Sequence, residues 1–91
     1  MEIDYDTYIK MKDVNIIDLR SQQDYLVKHF IDAINVPFEL LIVYPERYLL
    51  KNKKYLLVCE YGIKSKKTSE ILNRLGYYTY SLKNGINNIN L

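Results

Sequence analysis

The segment from Cys59 to Ser65, which reads CEYGIKS, contains the only cysteine of the 91-residue chain. It follows a short apolar run at 55–58 and precedes a helix-like pattern that ends at Gly76. A cysteine is nucleophilic only as the thiolate. The N–H groups and the partial positive charge at a helix N-terminus stabilise an anion. A strand, a cysteine, a glycine-containing loop and a helix start therefore predict a reactive thiol at Cys59.

Short apolar runs predict four strands that position this loop and its surroundings. The strands are expected at 15–19, 33–36, 55–58 and 77–82. The third run is apolar throughout, which is typical of a central strand covered on both faces. Strands that alternate with helices predict an α/β fold with a small, mostly parallel sheet. Sites in such sheets lie at the carboxyl ends of strands, where the pattern places Asp18, Arg20 and Cys59.

Two shorter helices are expected between these strands. Ser21 is a candidate cap, and Asp24 three residues later resembles the acid of a capping box. The buried face of that helix is expected to begin with Tyr25 and Leu26. A second short helix is predicted over 38–44, with Pro45 ending it because proline cannot continue a helix.

The clearest helical pattern covers residues 65–75. Gly76 suits its C-terminal end, and one stripe of the helix is expected to face the core. That stripe consists of Thr68, Ile71, Leu72 and Leu75.

Length and composition favour one domain over residues 1–91. The chain is 48% hydrophobic, which suits a single core and leaves no room for two. One cysteine allows neither an internal disulfide nor a cysteine-cluster metal site. No signal-peptide pattern is present, and no apolar run approaches the length of a membrane span. We expect a soluble, cytoplasmic protein without a membrane partner.

Charge is distributed unevenly along the chain. The net charge of +2 is too small to indicate nucleic-acid binding. Six lysines against one acid occupy the segment 51–67, which contains the cysteine loop. They are either a solvated surface or a field that favours anionic substrates, and the sequence leaves both interpretations open.

Five segments, in order, resemble the rhodanese-like (sulfurtransferase) domain family over nearly the whole chain. The family patterns are I-D-x-R, Glu-Tyr, H-I-x-G-A-x-N-I-P, C-x-x-G-x-R-S and L-x-G-G-I. The matching segments are IIDLR at 16–20, DY at 24–25, HFIDAINVP at 29–37, CEYGIKS at 59–65 and LKNGI at 82–86. The resemblance implies a rhodanese-like α/β fold, with helices on both faces of the sheet.

The resemblance also implies a sulfurtransferase that uses no metal and no organic cofactor. Cys59 would take sulfane sulfur from thiosulfate or from a persulfide-carrying protein and pass it to cyanide or an acceptor thiol. Asp18 and Arg20 would support the site as an ion pair or turn anchor, and His29 would be structural. The residues that would surround the substrate are Glu60, Tyr61, Gly62, Ile63, Lys64 and Ser65.

The chain departs from the family pattern near the site. Lys64 replaces the usual Arg, and Glu60 places an acid inside the loop. Arg can bind an oxyanion through two parallel hydrogen bonds, whereas Lys offers a single point charge. Three further departures lie elsewhere: Asp32 and Asn84 replace glycines, and Ile89 replaces a frequent Trp.

Two alternative functions are compatible with this pattern to different degrees. A non-catalytic rhodanese-like module that binds or regulates a protein partner is favoured by Lys64 and Glu60 and opposed by the intact Cys59. A phosphatase or arsenate reductase of the C-x5-R type needs an arginine six positions after the cysteine. Ser65 occupies that position, so the loop lacks the phosphate-binding side chain.

Overall fold

The computed structural model describes residues 1–91 and is built on one five-stranded sheet. Its strands are β1 (Glu2–Ile3), β2 (Val14–Asp18), β3 (Ile34–Asn35), β4 (Lys54–Val58) and β5 (Tyr78–Leu82). The order across the sheet is β1-β5-β4-β2-β3, and every neighbouring pair is parallel. The α/β fold with a parallel sheet is therefore confirmed.

Five α-helices and one 3₁₀ turn surround the sheet. They are α1 (Tyr5–Tyr8), α2 (Gln22–Val27), α3 (Phe38–Val43), α4 (Pro45–Tyr48), α5 (Ile63–Arg74) and the 3₁₀ turn (Ile86–Asn88). None of the helices is both long and apolar enough to cross a membrane.

Alternating side chains of the central strands form two cores, one on each face of the sheet. Ile16 and Leu56 belong to one core, which packs against α1 and the 3₁₀ turn. Ile17 and Leu57 belong to the other, which includes residues of α3 and α5. Because successive residues of a strand point to opposite faces, β4 is buried on both sides, as its apolar sequence predicts.

Helix α5 begins two residues earlier than predicted and buries a more polar face. Gly62 is its N-cap residue, so Ser65 lies inside the first turn. Thr68 and Leu72 are buried as expected, but Ile71 and Leu75 are 39% and 50% exposed, so that part of the stripe is wrong. The buried face consists of Ser65, Thr68, Ser69 and Leu72. Hydroxyl groups on β5 accept and donate hydrogen bonds there, which makes a polar helix face stable against the sheet.

Two other helix predictions also need correction. Helix α3 ends at Val43, and Pro45 opens α4 rather than ending the previous helix. Proline is favoured in the first turn, where its missing N–H has no helical acceptor. In α2 the Ser21 cap is confirmed, since its hydroxyl accepts from the Asp24 N–H at 3.2 Å. Leu26, however, is exposed rather than buried.

Strand β1 and helix α1 are absent from the sequence prediction. The two residues of β1 pair with Ser81 and Leu82 at the edge of the sheet. A two-residue strand has no readable period, so this pairing becomes visible only in the folded chain.

The two family glycines that this chain lacks are replaced by residues that keep the same backbone. Asp32 has a φ of 65° and Asn84 a φ of 67°. Aspartate and asparagine visit the left-handed region more readily than other side chains. The turns survive these departures for that reason.

Candidate active site

Cys59 lies directly after β4, at the carboxyl edge of the sheet, and is only 2% exposed. The backbone N–H groups of Gly62 and Ser65 donate to its Sγ atom at 3.2 and 3.3 Å. Both amides belong to the N-terminal end of α5, where the helix dipole is positive. This arrangement stabilises negative charge on the sulfur.

Other amides of the loop have no acceptor within the chain. The N–H groups of Glu60 and Tyr61 donate to no protein atom. Ile63 and Lys64 are the first two residues of α5, where the helix itself supplies no acceptor. The loop therefore holds unused donors next to the sulfur, which is typical of an anion-binding concavity.

The 3₁₀ turn near residue 86 fixes the backbone of the cysteine loop. The Ile86 N–H donates to the Cys59 carbonyl at 2.9 Å, and the Asn87 N–H donates to the Glu60 carbonyl at 3.1 Å. Gly85 lies so close that a Cβ atom there would be 2.2 Å from the Glu60 carbonyl oxygen. The loop thus rests on this turn with no space between the two backbones.

The hydroxyl of Ser65 connects the sulfur to the neighbouring strand. The Cys59 thiol donates to Ser65 Oγ at 3.3 Å, and Ser65 Oγ donates to the Gly62 carbonyl at 3.3 Å. Ser65 Oγ is also 2.6 Å from Ser81 Oγ on β5. Both serines are completely buried.

A mostly apolar cavity of about 520 Å³ opens above Cys59. Helices α3 and α5 form its walls, and the Lys64 ammonium lies 4.2 Å from the centre of the Phe38 ring. Lys67 is a second cation in the wall, and Glu60 is the only acid. The lining residues are Phe38, Ile42, Cys59, Glu60, Tyr61, Ile63, Lys64, Lys67, Thr68 and Ile71.

Asp18 and Arg20 form a buried ion pair at the end of β2, the strand next to β4. Arg20 Nη2 lies 2.8 Å from Asp18 Oδ2, and the Arg20 N–H donates to Asp18 Oδ1 at 3.0 Å. Hydrogen bonds to Asp18 raise the pKa of the Arg20 guanidinium, against the opposite effect of burial. The negative charge of Glu60 contributes to the same rise. The pair therefore anchors the turn beside the cysteine loop and places a fixed cation near Glu60.

Only half of the lysine-rich segment lies near the cysteine. Lys51, Lys53 and Lys54 lie at or before the start of β4, which is the opposite end of that strand from Cys59. The predicted coincidence of the whole basic segment with the loop is therefore wrong. A five-residue strand separates its two halves by about 16 Å.

Two further predicted residues contribute little to the cavity wall. Tyr61 lines the mouth, but its side chain is largely in solvent, with the residue 66% exposed. His29 is stacked on the Tyr25 ring at the end of α2, with Nδ1 2.7 Å from the Tyr25 carbonyl oxygen. That geometry agrees with the structural role expected for this histidine.

Several site residues lie outside the sequence-based set. Ser81 has no sequence signal, because a serine inside an apolar strand usually indicates nothing about catalysis. Gly85 and Ile86 lie in the LKNGI segment, so the family resemblance could have identified them. Asn35 lies in the HFIDAINVP segment, and its side-chain amide donates to the carbonyls of Asp18 and Arg20 at 3.1 and 2.9 Å.

Comparison with known proteins assigns this geometry to a family. The model of the rhodanese-like domain family matches residues 4–91. The tRNA uridine(34) hydroxylase of Rickettsia conorii is 36% identical over 89 residues, which cover 91% of this chain and 36% of that protein. The chain thus spans about a third of the length of the curated relatives it matches.

Two solved structures show the same fold. A rhodanese-related protein from Thermoplasma volcanium superposes with a TM-score of 0.82 at 26% identity, covering 92% of this chain and 84% of that one. An NAD-dependent persulfide reductase from A. fulgidus superposes with a TM-score of 0.68 at 27% identity, covering 91% of this chain and 14% of that one. With its cysteine loop at the carboxyl edge of a parallel sheet, this chain belongs to the rhodanese-like domain family.

Proposed function

We propose that this chain is a sulfurtransferase that carries sulfane sulfur as a persulfide on Cys59. The observation that carries the proposal is that Cys59 lines the cavity while two backbone N–H groups donate to its Sγ atom. A thiolate in such a site is stabilised and borders the space that a substrate would fill, and covalent catalysis needs both.

The transfer proceeds in two steps, each an attack of a thiolate on the outer sulfur of a persulfide. The Cys59 thiolate attacks the outer sulfur of a donor R–S–SH, the donor S–S bond breaks, and RS⁻ leaves with the electron pair. An acceptor thiolate then attacks the outer sulfur of the Cys59 persulfide and regenerates the Cys59 thiolate. The free amides of Glu60, Tyr61, Ile63 and Lys64 are available to the terminal sulfur of the persulfide.

The favoured donor is a thiol-bound persulfide rather than thiosulfate. Phe38, Ile42 and Ile71 make the cavity wall apolar, and Glu60 offsets part of the positive charge of Lys64 and Lys67. A thiosulfate dianion loses its hydration in such a cavity, whereas a persulfide carries less charge. The name of the A. fulgidus relative, a persulfide reductase, is in keeping with this donor class.

The mass of the intact protein tests the proposal. The protein is exposed separately to thiosulfate and to cysteine persulfide, and the site of any added sulfur is mapped by peptide mass spectrometry. We expect one added sulfur on Cys59, with a higher yield from the persulfide. Absence of the adduct with both donors would favour the non-catalytic binding module instead.

Glu60→Ala is expected to improve the use of thiosulfate. Removing the acid relieves repulsion of the dianion, and a gain of about tenfold in kcat/KM corresponds to about 1.4 kcal/mol, a reasonable size for one partly exposed charge. Steady-state kinetics with thiosulfate and cyanide measure the effect. Glu46→Ala is the matched control, because Glu46 is an exposed acid on α4 outside the cavity. An unchanged kcat/KM for Glu60→Ala would mean that Glu60 does not face the substrate.

A second candidate function comes from the similarity to the Rickettsia conorii protein. Its 36% identity extends over 91% of this chain. This chain is therefore also a candidate for the rhodanese-like domain of a tRNA uridine(34) hydroxylase. Nucleoside mass spectrometry of tRNA from cells lacking their own hydroxylase, with and without this chain, measures the modification. Hydroxylated uridine 34 that depends on Cys59 would support this second function over sulfur transfer alone.

A further inference from the structure

We propose that Ser81 is a positioning residue for the Cys59 thiolate and that it acts through the hydroxyl of Ser65. Ser81 lies on β5, on the face that packs against α5, and is completely buried. Its Oγ atom is 2.6 Å from Ser65 Oγ, and no other hydrogen-bond partner surrounds it.

The number of partners fixes the direction of the bond between the two serines. If Ser65 donated to Ser81, the Ser81 proton would be buried without an acceptor, which costs free energy. If Ser81 donates to Ser65, its own proton is satisfied. The Ser65 proton is then free for one of its other two neighbours, the Gly62 carbonyl or Cys59 Sγ, each 3.3 Å away.

With this direction of the bond, the Ser65 O–H has two orientations, one for each protonation state of Cys59. When the thiol is protonated, it donates to Ser65 Oγ, and Ser65 donates to the Gly62 carbonyl. When the thiol loses its proton to solvent or base, the Ser65 O–H turns from Gly62 to the thiolate. Ser81 remains the donor to Ser65 in both orientations and polarises the O–H that reaches the sulfur. The inference rests on the proposed function in that Cys59 must react as a thiolate.

The chain offers a matched control two residues earlier on the same strand. Thr79 Oγ1 is 2.7 Å from Ser69 Oγ, so the same strand and helix are joined by a second buried hydroxyl pair. Ser69 makes no hydrogen bond to Cys59. Thr79→Ala therefore removes a buried hydroxyl from the same interface without touching the sulfur.

Alkylation by iodoacetamide measures the thiolate directly, without sulfur transfer. We expect Ser81→Ala to slow alkylation of Cys59 about fivefold at pH 7, because a stabilising donor to the anion is weakened. At pH 10, well above the value of about 8.5 for a free thiol, the rate is expected to equal that of the wild type. Each variant is read as the ratio of its two rates, and circular dichroism at both pH values checks that it is folded.

A double variant separates action through Ser65 from a general loss of packing. In Ser65→Ala the additional change Ser81→Ala is expected to have no effect on the ratio, since the residue that transmits it is gone. This double variant leaves no unpaired hydroxyl, so it serves even if Ser81→Ala folds poorly. The inference would be overturned if Ser81→Ala kept the wild-type ratio of alkylation rates, or if Thr79→Ala changed that ratio equally. Neither result would bear on whether Cys59 forms the persulfide adduct.

Discussion

Cys59→Ser is expected to abolish sulfur transfer while leaving the fold intact. The hydroxyl is nearly the same shape as the thiol and can accept hydrogen bonds from the same N–H groups of Gly62 and Ser65. It is not ionised near neutral pH and forms no persulfide, so turnover is expected to fall by about a thousandfold or more. The loss is measured with a persulfide donor and cyanide, as the rate at which thiocyanate forms.

Thermal unfolding is the control for that variant. An unfolding midpoint within a few degrees of the wild type would show that the loss is chemical rather than structural. Retained turnover in a correctly folded Cys59→Ser protein would remove Cys59 from the reaction, and with it the proposed mechanism.

Gly85→Ala is expected to damage both the stability and the site. Gly85 has φ 72° and ψ −177°, a region that only glycine occupies readily. A Cβ atom there would lie 2.2 Å from the Glu60 carbonyl oxygen and 2.5 Å from the Tyr61 nitrogen. Backbone strain and overpacking together are expected to cost about 4 kcal/mol, or roughly 20 °C in the unfolding midpoint.

Gly76→Ala separates the two causes. Gly76 also has a positive φ, 97°, but its nearest neighbours are atoms of the flexible Lys51 side chain at 3.5 Å or more. It is expected to cost only about 1–2 kcal/mol, from backbone strain alone, and to leave sulfur transfer unchanged. If Gly85→Ala were no worse than Gly76→Ala, the contact between the 3₁₀ turn and the cysteine loop would not be as tight as described.

The sequence predicted the sheet well because its strands follow simple hydrophobic patterns. The run at 55–58 is apolar on both faces and is the central strand β4. Ser21 and Gly76 marked helix ends through local chemistry that needs no tertiary contact. The position of Cys59 at the carboxyl edge of the sheet followed from the same reasoning.

What the sequence could not show depends on contacts between distant segments. The buried face of α5 is polar because the hydroxyls of Ser65 and Ser69 form hydrogen bonds with hydroxyls of β5. The predicted apolar stripe therefore included Ile71 and Leu75 wrongly. The lysine-rich segment looked continuous in sequence but is divided between the two ends of β4. The contribution of α3 to the cavity wall also could not be predicted from the sequence around Cys59, because α3 is more than fifteen residues away along the chain.

The attachment of the cysteine loop to the turn at 85–87 has a consequence for protein synthesis. The thiol is made well before the segment whose N–H groups hold the Cys59 and Glu60 carbonyls. Ser81, which supports the Ser65 hydroxyl, is also translated after the loop. A growing chain therefore lacks these supports around Cys59 until residues 81–87 have been made, and the proposed reactivity requires the folded domain.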